Sequence, residues 1–214
     1  GLKNYFEAHK YHNATGTDLW DALGKAANLD IGAIMKSWLE QPGYPVVEAK
    51  AVDGQLQLSQ QQFFIGDGHD TGRLWQIPLN ANYKEAPQIM KDKAISLGNY
   101  QELRQQNGKP FRLNVGNNSH FIVKYDQTLM NDLLDHLDEL NAIDQRQLLQ
   151  DFRLLADGQQ LSYADIIPLL PQFADSHSEI VNTALYAIVN KLKQFVTPDR
   201  AEEKALKKFV NQLS

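Results

Sequence analysis

The sequence predicts an α+β chain of several domains: a helical segment, then an antiparallel β-sandwich, then an α-helical array. Three observations carry this. Before Ser37–Val47, apolar residues recur at helical spacing; from 46 to about 126 they alternate with polar ones; from 127 helical spacing returns. The first switch is abrupt. Ile31, Ile34, Met35, Trp38 and Leu39 share a stripe, and Pro42-Gly43-Tyr44-Pro45 ends it. Pro45 also pushes Tyr44 towards extended backbone.

Composition narrows the class. The 214 residues are enough for one good core or two small ones. Hydrophobic residues at 43% and charged residues at 22% describe a globular chain, not a disordered one. A formal charge of −5 leaves no basic footprint, so no nucleic-acid partner is expected. Without cysteine there are no disulfides and no thiolate metal sites, which suits a reducing, cytoplasmic setting. No apolar run reaches the ~18–20 residues of a membrane span, and no signal peptide is visible, so no membrane partner is expected either. The chain opens Gly1-Leu2-Lys3-Asn4-Tyr5, with helical spacing from its second residue, and reads as a piece of a longer protein.

Residues 1–45 hold three expected helices. The first runs from Leu2 to about Tyr11. Thr17 can cap the second, with Leu19, Trp20, Leu23, Ala26 and Ala27 on its apolar face; Asp30 can cap the third, which carries Trp38 at a buried position. In residues 46–126, Val47, Ala49 and Ala51 alternate into Asp53-Gly54, a hairpin turn, and Leu56 and Leu58 continue to Phe63-Phe64. Further strands are expected over Leu74–Leu79, at Ile89, over Ala94–Leu97, over Phe111–Val115 and over Phe121–Tyr125, with a turn at Asn107-Gly108. Short strands between turns predict a sandwich. In residues 127–214, Ile143 to Ala156 is a helix closed by Gly158. Tyr163–Phe173 is broken by Pro168 and Pro171. Ser176-x-x-Glu179 has the spacing of a capping box before the stripe Val181, Ala184, Leu185, Ile188, Leu192 and Phe195. Thr197-Pro198 starts a last helix carrying Leu206, Phe209, Val210 and Leu213, and successive antiparallel helices suggest an array.

Trp38, Gln41, Gly43, Tyr44, Pro45 and Val46 together resemble the end of the catalytic domain in aminopeptidase N-type zinc metallopeptidases, the gluzincins. His9-Lys10-Tyr11, Asn13-Ala14 and Asp18-Leu19-Trp20 are similar to that domain's last helices. Trp75 with Ile77-Pro78-Leu79, Leu113 to Gly116, and Phe121, Val123, Tyr125 and Asp126 resemble the family's sandwich strands. Asp144, Leu148, Asp151-Phe152, Leu154 and Gly158 resemble the opening of its C-terminal helical domain. Gln62, Ile122 and Gln145 stand where the family has arginine. The resemblance implies a fragment whose parent uses zinc-bound water to release N-terminal residues from peptides. It implies an architectural segment that braces the upstream catalytic domain of the same chain and carries the helical domain. Peptide substrates would then be met only through the intact enzyme.

The residues themselves supply no catalytic constellation. There is no His-Glu pair, hence no H-E-x-x-H, and no Gly-x-Met-x-Asn loop for a substrate amine; in the family both precede the position of Gly1. His9-x-x-His12 with Glu7 is the most metal-like cluster, yet it lacks a third ligand, and a helix C-terminus favouring imidazoles explains it as well. Asp132, Asp135, His136 and Glu139 fit a solvated helix face. Asp67-Gly68-His69-Asp70 lacks calcium-loop spacing and fits a hydrogen-bonded turn. Gly66–Gly72 lacks the Lys-Ser/Thr of a phosphate loop, and no G-x-S-x-G is present. Trp20, Trp38 and Trp75 fit core or interface positions. No catalytic, cofactor-binding or metal residue is therefore assigned; zinc is expected in the parent and not here. From a different class, a stand-alone sandwich and helical module that binds a protein partner fits the same pattern.

Overall fold

A computed structural model describes residues 1–213. It is an α+β structure with a small mixed sheet. Three helices open it: α1 (Leu2–Ala8), α2 (Gly16–Ala27) and α3 (Ile31–Leu39). Thr15, not Thr17, caps α2, in a capping box with Asp18, while Asp30 accepts from the Ala33 N–H at 2.9 Å and caps α3 as its position predicts. Up to residue 44, Ile34 is the one buried hydrophobic side chain, and α1 buries none.

Strands β1 (Pro45–Val52) and β2 (Gln55–Gln62) form the hairpin read from Asp53-Gly54. Asp53 and Gly54 both have positive φ, 48° and 77°, as a tight two-residue turn requires. The other strands are β3 (Ile77–Pro78), β4 (Ile89–Met90), β5 (Ala94–Asn99) and β6 (Ile122–Tyr125). One sheet has the order β5-β2-β1-β6, and β3 pairs with β4 separately. The larger sheet is mixed, because β6 lies parallel to β1 with Val46 opposite Ile122.

Two expected strands are shorter or absent for identifiable reasons. Of Leu74–Leu79 only Ile77 and Pro78 join a ladder, because side chains occupy the backbone groups before them. Phe111–Val115 forms no strand: Asn114 and Gly116 adopt left-handed backbone, φ 52° and 78°, and the Leu113 N–H donates to the Tyr125 hydroxyl at 2.9 Å. Asn107-Gly108 is not a hairpin turn but the left-handed end of a helix, α4 (Tyr100–Asn107), which its polar composition hides.

Beyond β6 come α5 (Gln127–Leu134), α6 (Ala142–Asp157), α7 (Tyr163–Ile166) with a 3-10 continuation over Ile167–Phe173, α8 (Glu179–Leu192) and α9 (Ala201–Gln212). Ser178 is the N-cap of α8 and makes no side-chain cap bond, so the Ser176 capping box does not form, and Phe195 lies beyond the helix, 66% exposed. The α7 segment returns the chain, so α6 and α8 run in the same direction, with Asp157 and Lys191 paired at 3.8 Å at their C-terminal ends. One continuous core joins Val47, Leu56 and Leu58 of the sheet, Trp75, Ile77 and Met90 of the second ladder, and Phe152 and Leu185 of the helices.

Candidate functional site

A dense set of side-chain-to-backbone contacts lies at the join between α3 and the sheet. Backbone N–H and C=O groups need partners once buried. For residues 74–76 those partners are side chains. The Gln41 amide donates to the Leu74 carbonyl at 2.7 Å. Gln60, 1% exposed, accepts from the Trp75 N–H at 2.9 Å and donates to the Trp75 carbonyl at 3.0 Å. The Ser37 hydroxyl oxygen accepts from the Gln76 N–H at 3.0 Å, and the Trp38 indole donates to the Gln76 carbonyl at 3.0 Å. The α3 end therefore serves as a side-chain substitute for a neighbouring strand. Trp38 is half-buried, with its ring centroid 6.4 Å from that of Trp75, which is fully buried.

A second polar cluster joins α4 to α5. Asp132 accepts from the Tyr100 hydroxyl at 2.5 Å and from Arg104 at 2.7 Å and 3.2 Å. Burial alone raises the Asp132 carboxyl, but the hydrogen bonds from Arg104 and Tyr100 outweigh it and hold it below the usual carboxylate range. Burial, and then the hydrogen bond to Asp132, push the Tyr100 phenol far up; burial takes the neighbouring Tyr83 to about 12. His136 approaches the Asp132 carbonyl through Nδ1 at 2.8 Å and Arg104 through Nε2 at 3.4 Å. Asp132 is thus no part of a solvated face. Helix α5 stops at Leu134, so Asp135 and Glu139, both exposed, do not share its face. The cluster holds two helices together.

The remaining candidates are not brought together. His9 contacts the Tyr5 carbonyl at 3.0 Å and stands 4.0 Å from Asp18, while His12 is exposed at the end of the turn. Asp70 pairs with Lys93 at 2.7 Å and accepts from the Gly72 N–H, closing the glycine-rich loop as a turn. Among the described residues no group of three or more His, Asp or Glu side chains could hold a metal ion. These residues therefore do not fit the zinc that the resemblance implies for the parent. No helix among them is long and apolar enough to cross a membrane.

The Peptidase family M1 domain matches residues 1–38, and the ERAP1-like C-terminal domain matches residues 111–214. Aminopeptidase N of Lactobacillus helveticus is 63% identical over the whole chain. The chain belongs to the aminopeptidase N family. Aminopeptidase N of Lactobacillus delbrueckii subsp. lactis is 57% identical, again over the whole chain. Tricorn protease-interacting factor F2 of Thermoplasma volcanium is 26% identical over 85% of the chain and 22% of its own length. The chain spans a quarter, 25%, of the length of the two Lactobacillus relatives. The stretch Trp38–Val46 that carries the resemblance coincides with the α3 end, where Trp38 and Gln41 grip residues 74–76. Gln60, the other half of that grip, carried no signal in the sequence, since one glutamine among Gln60-Gln61-Gln62 looks like the next.

Proposed function

We propose that this chain is a non-catalytic part of an aminopeptidase, a hydrolase that removes N-terminal residues from peptides with zinc held by residues outside those described. In this reading residues 1–45 end the catalytic domain, 46–126 form a two-sheet sandwich, and 127–214 open the C-terminal helical domain. The sandwich braces the catalytic domain and carries the helices, and the enzyme works in the cytoplasm. One observation supports the bracing role most directly. Of their hydrophobic side chains the opening helices bury only Ile34, and they expose Leu2 at 54%, Phe6 at 65% and Leu39 at 68%, apolar side chains suited to packing on an upstream catalytic domain. The absence of cysteine suits the cytoplasm.

The test is to purify these residues without a histidine tag, add zinc, and measure bound metal by mass spectrometry alongside hydrolysis of aminoacyl chromogenic substrates. Neither bound zinc nor turnover is expected. One tightly held zinc per chain with chelator-sensitive turnover would overturn the proposal.

A further inference from the structure

In four places an aspartate or asparagine is followed by glycine: Asp53-Gly54, Asp67-Gly68, Asn107-Gly108 and Asp157-Gly158. At such a pair the glycine nitrogen, unshielded by a side chain, can attack the side-chain carbonyl carbon of the residue before it. Attack needs a free nitrogen and rotation about the backbone bond that joins the two, so the fold decides which pair can react. Three pairs are held. The Gly108 N–H donates to the Arg104 carbonyl at 2.9 Å, and the Asn107 amide donates to the Leu103 carbonyl at 3.0 Å and to Glu85 at 3.2 Å. The Gly158 N–H donates to the Leu154 carbonyl at 2.9 Å, and Asp157 pairs with Lys191. Asp53-Gly54 closes the ladder pair of Val52 with Gln55, and the Gly54 carbonyl accepts from the Tyr100 N–H at 2.8 Å. Rotation at any of these breaks bonds that hold the fold.

Asp67-Gly68 is held by none. Residues 65–72 are all exposed, and among the described residues neither the Asp67 carboxylate nor the Gly68 N–H has a hydrogen-bond partner. The bonds that close this loop start later, at Asp70. Packing nevertheless demands the glycine, because a Cβ at Gly68 would lie 2.1 Å from a Phe64 ring atom. We infer that Asp67-Gly68 is a site of spontaneous backbone isomerisation, at which aspartate becomes isoaspartate. The Gly68 nitrogen loses its proton and bonds to Cγ of Asp67, one carboxyl oxygen leaves as water, and a succinimide ring closes. Water then adds back to the ring. Opening the bond from nitrogen to Cγ restores aspartate; opening the bond from nitrogen to the main-chain carbonyl carbon leaves isoaspartate, with the chain running through Cβ and Cγ. The water lost is regained, so no co-reactant is consumed. The product lengthens the chain by one carbon just before the residue packed on Phe64. This inference stands independently of the role proposed for the whole chain.

The purified chain is aged in neutral buffer at physiological temperature, beside a sample kept unfolded in guanidinium chloride. Peptide mapping with electron-transfer fragmentation then locates isoaspartate. In the folded chain it should form at position 67 at least about tenfold faster than at 53, 107 or 157. In the unfolded sample position 107 should lead, because ammonia leaves an asparagine amide more readily than water leaves a carboxyl group. That reversal separates an effect of the fold from one of the dipeptide alone. Asp67→Glu, whose longer side chain closes a larger ring less readily, should remove the signal at 67; Asp67→Asn should hasten it. Circular dichroism checks that both variants fold. Three results would each overturn the inference: no isoaspartate at 67 in the folded chain, formation at 53, 107 or 157 as fast as at 67, or the same order of sites in both samples.

Discussion

The indole N–H of Trp38 donates to the carbonyl oxygen of Gln76 at 3.0 Å, fastening the last turn of α3 to a segment that has no strand partner there. A tryptophan at a helix end thus does a strand's work. Two substitutions separate its contributions. Trp38→Phe keeps most of the ring but leaves the Gln76 carbonyl unpaired, and should cost about 1 kcal/mol. Trp38→Ala also removes the contact with Trp75. Because the ring is half-buried, the loss should be about 2–3 kcal/mol, less than the ~3–5 kcal/mol of a fully buried tryptophan. Urea denaturation reads both; an equal loss for the two variants would assign the whole effect to the hydrogen bond.

Arg112 and Asp144 form the most buried ion pair, at 2.6 Å with side chains 16% and 5% exposed. Asp144 also accepts from the Gly116 N–H at 3.0 Å, so one carboxylate ties α6 to the loop before β6. Asp144→Ala strands a buried guanidinium and should cost about 3–5 kcal/mol. Removing both charges should cost clearly less than the sum of the single losses, because the second removal takes away the stranded partner. A double-mutant cycle that came out additive would show that the pair contributes nothing specific.

Gly158 closes α6 where the sequence places a C-cap, but its φ is −83°, an ordinary value. Its backbone does not need glycine; its surroundings do. A Cβ there would lie 2.4 Å from a Phe63 ring atom and 2.9 Å from the Phe64 carbonyl oxygen. Gly158→Ala should therefore destabilise by about 1–3 kcal/mol through overpacking, although alanine is the better helix former. Thermal melting checks this, and a neutral or raised melting temperature would contradict it.

The same contrast explains what the sequence made legible. Elements with a strong local rule were readable: the α3 cap at Asp30, the Asp53-Gly54 turn, and the apolar stripe of α8. Those decided by tertiary bonding were not. Tyr100–Asn107 has two buried residues, Tyr100 and Leu103, too few to mark a stripe. Leu113 looks like a strand residue by alternation, yet its N–H goes to a tyrosine hydroxyl. Asp132 looked solvated because its partners Tyr100 and Arg104 lie some thirty positions away. The α3 join was legible as a boundary through its prolines, whereas the role of Gln60 required seeing which backbone it faces.

Asp151 carries the last prediction. It is 3% exposed on α6, and its carboxylate accepts from the Val123 N–H at 3.2 Å and from the Gln147 amide at 2.9 Å. The first bond satisfies a backbone donor of the edge strand β6. No cation faces the group, so burial pushes its carboxyl well above the usual range, against the pull of those two hydrogen bonds. The fold thus favours the protonated acid. A carboxyl raised in the folded state contributes stability that is fully present below its unfolded value of about 3.9 and is lost as pH rises through the folded value. Asp151→Asn keeps an oxygen for the Val123 N–H and carries no charge at any pH. Its new N–H₂ has an acceptor within reach, since the Gln147 Oε1 is buried without a partner and one amide rotation presents it. The variant should be more stable than the parent chain at neutral pH, and its advantage should shrink steadily as pH is lowered towards about 4. Urea denaturation of both proteins across that window measures the difference. Parallel stability curves would mean that Asp151 titrates in the folded chain as it does in the unfolded one.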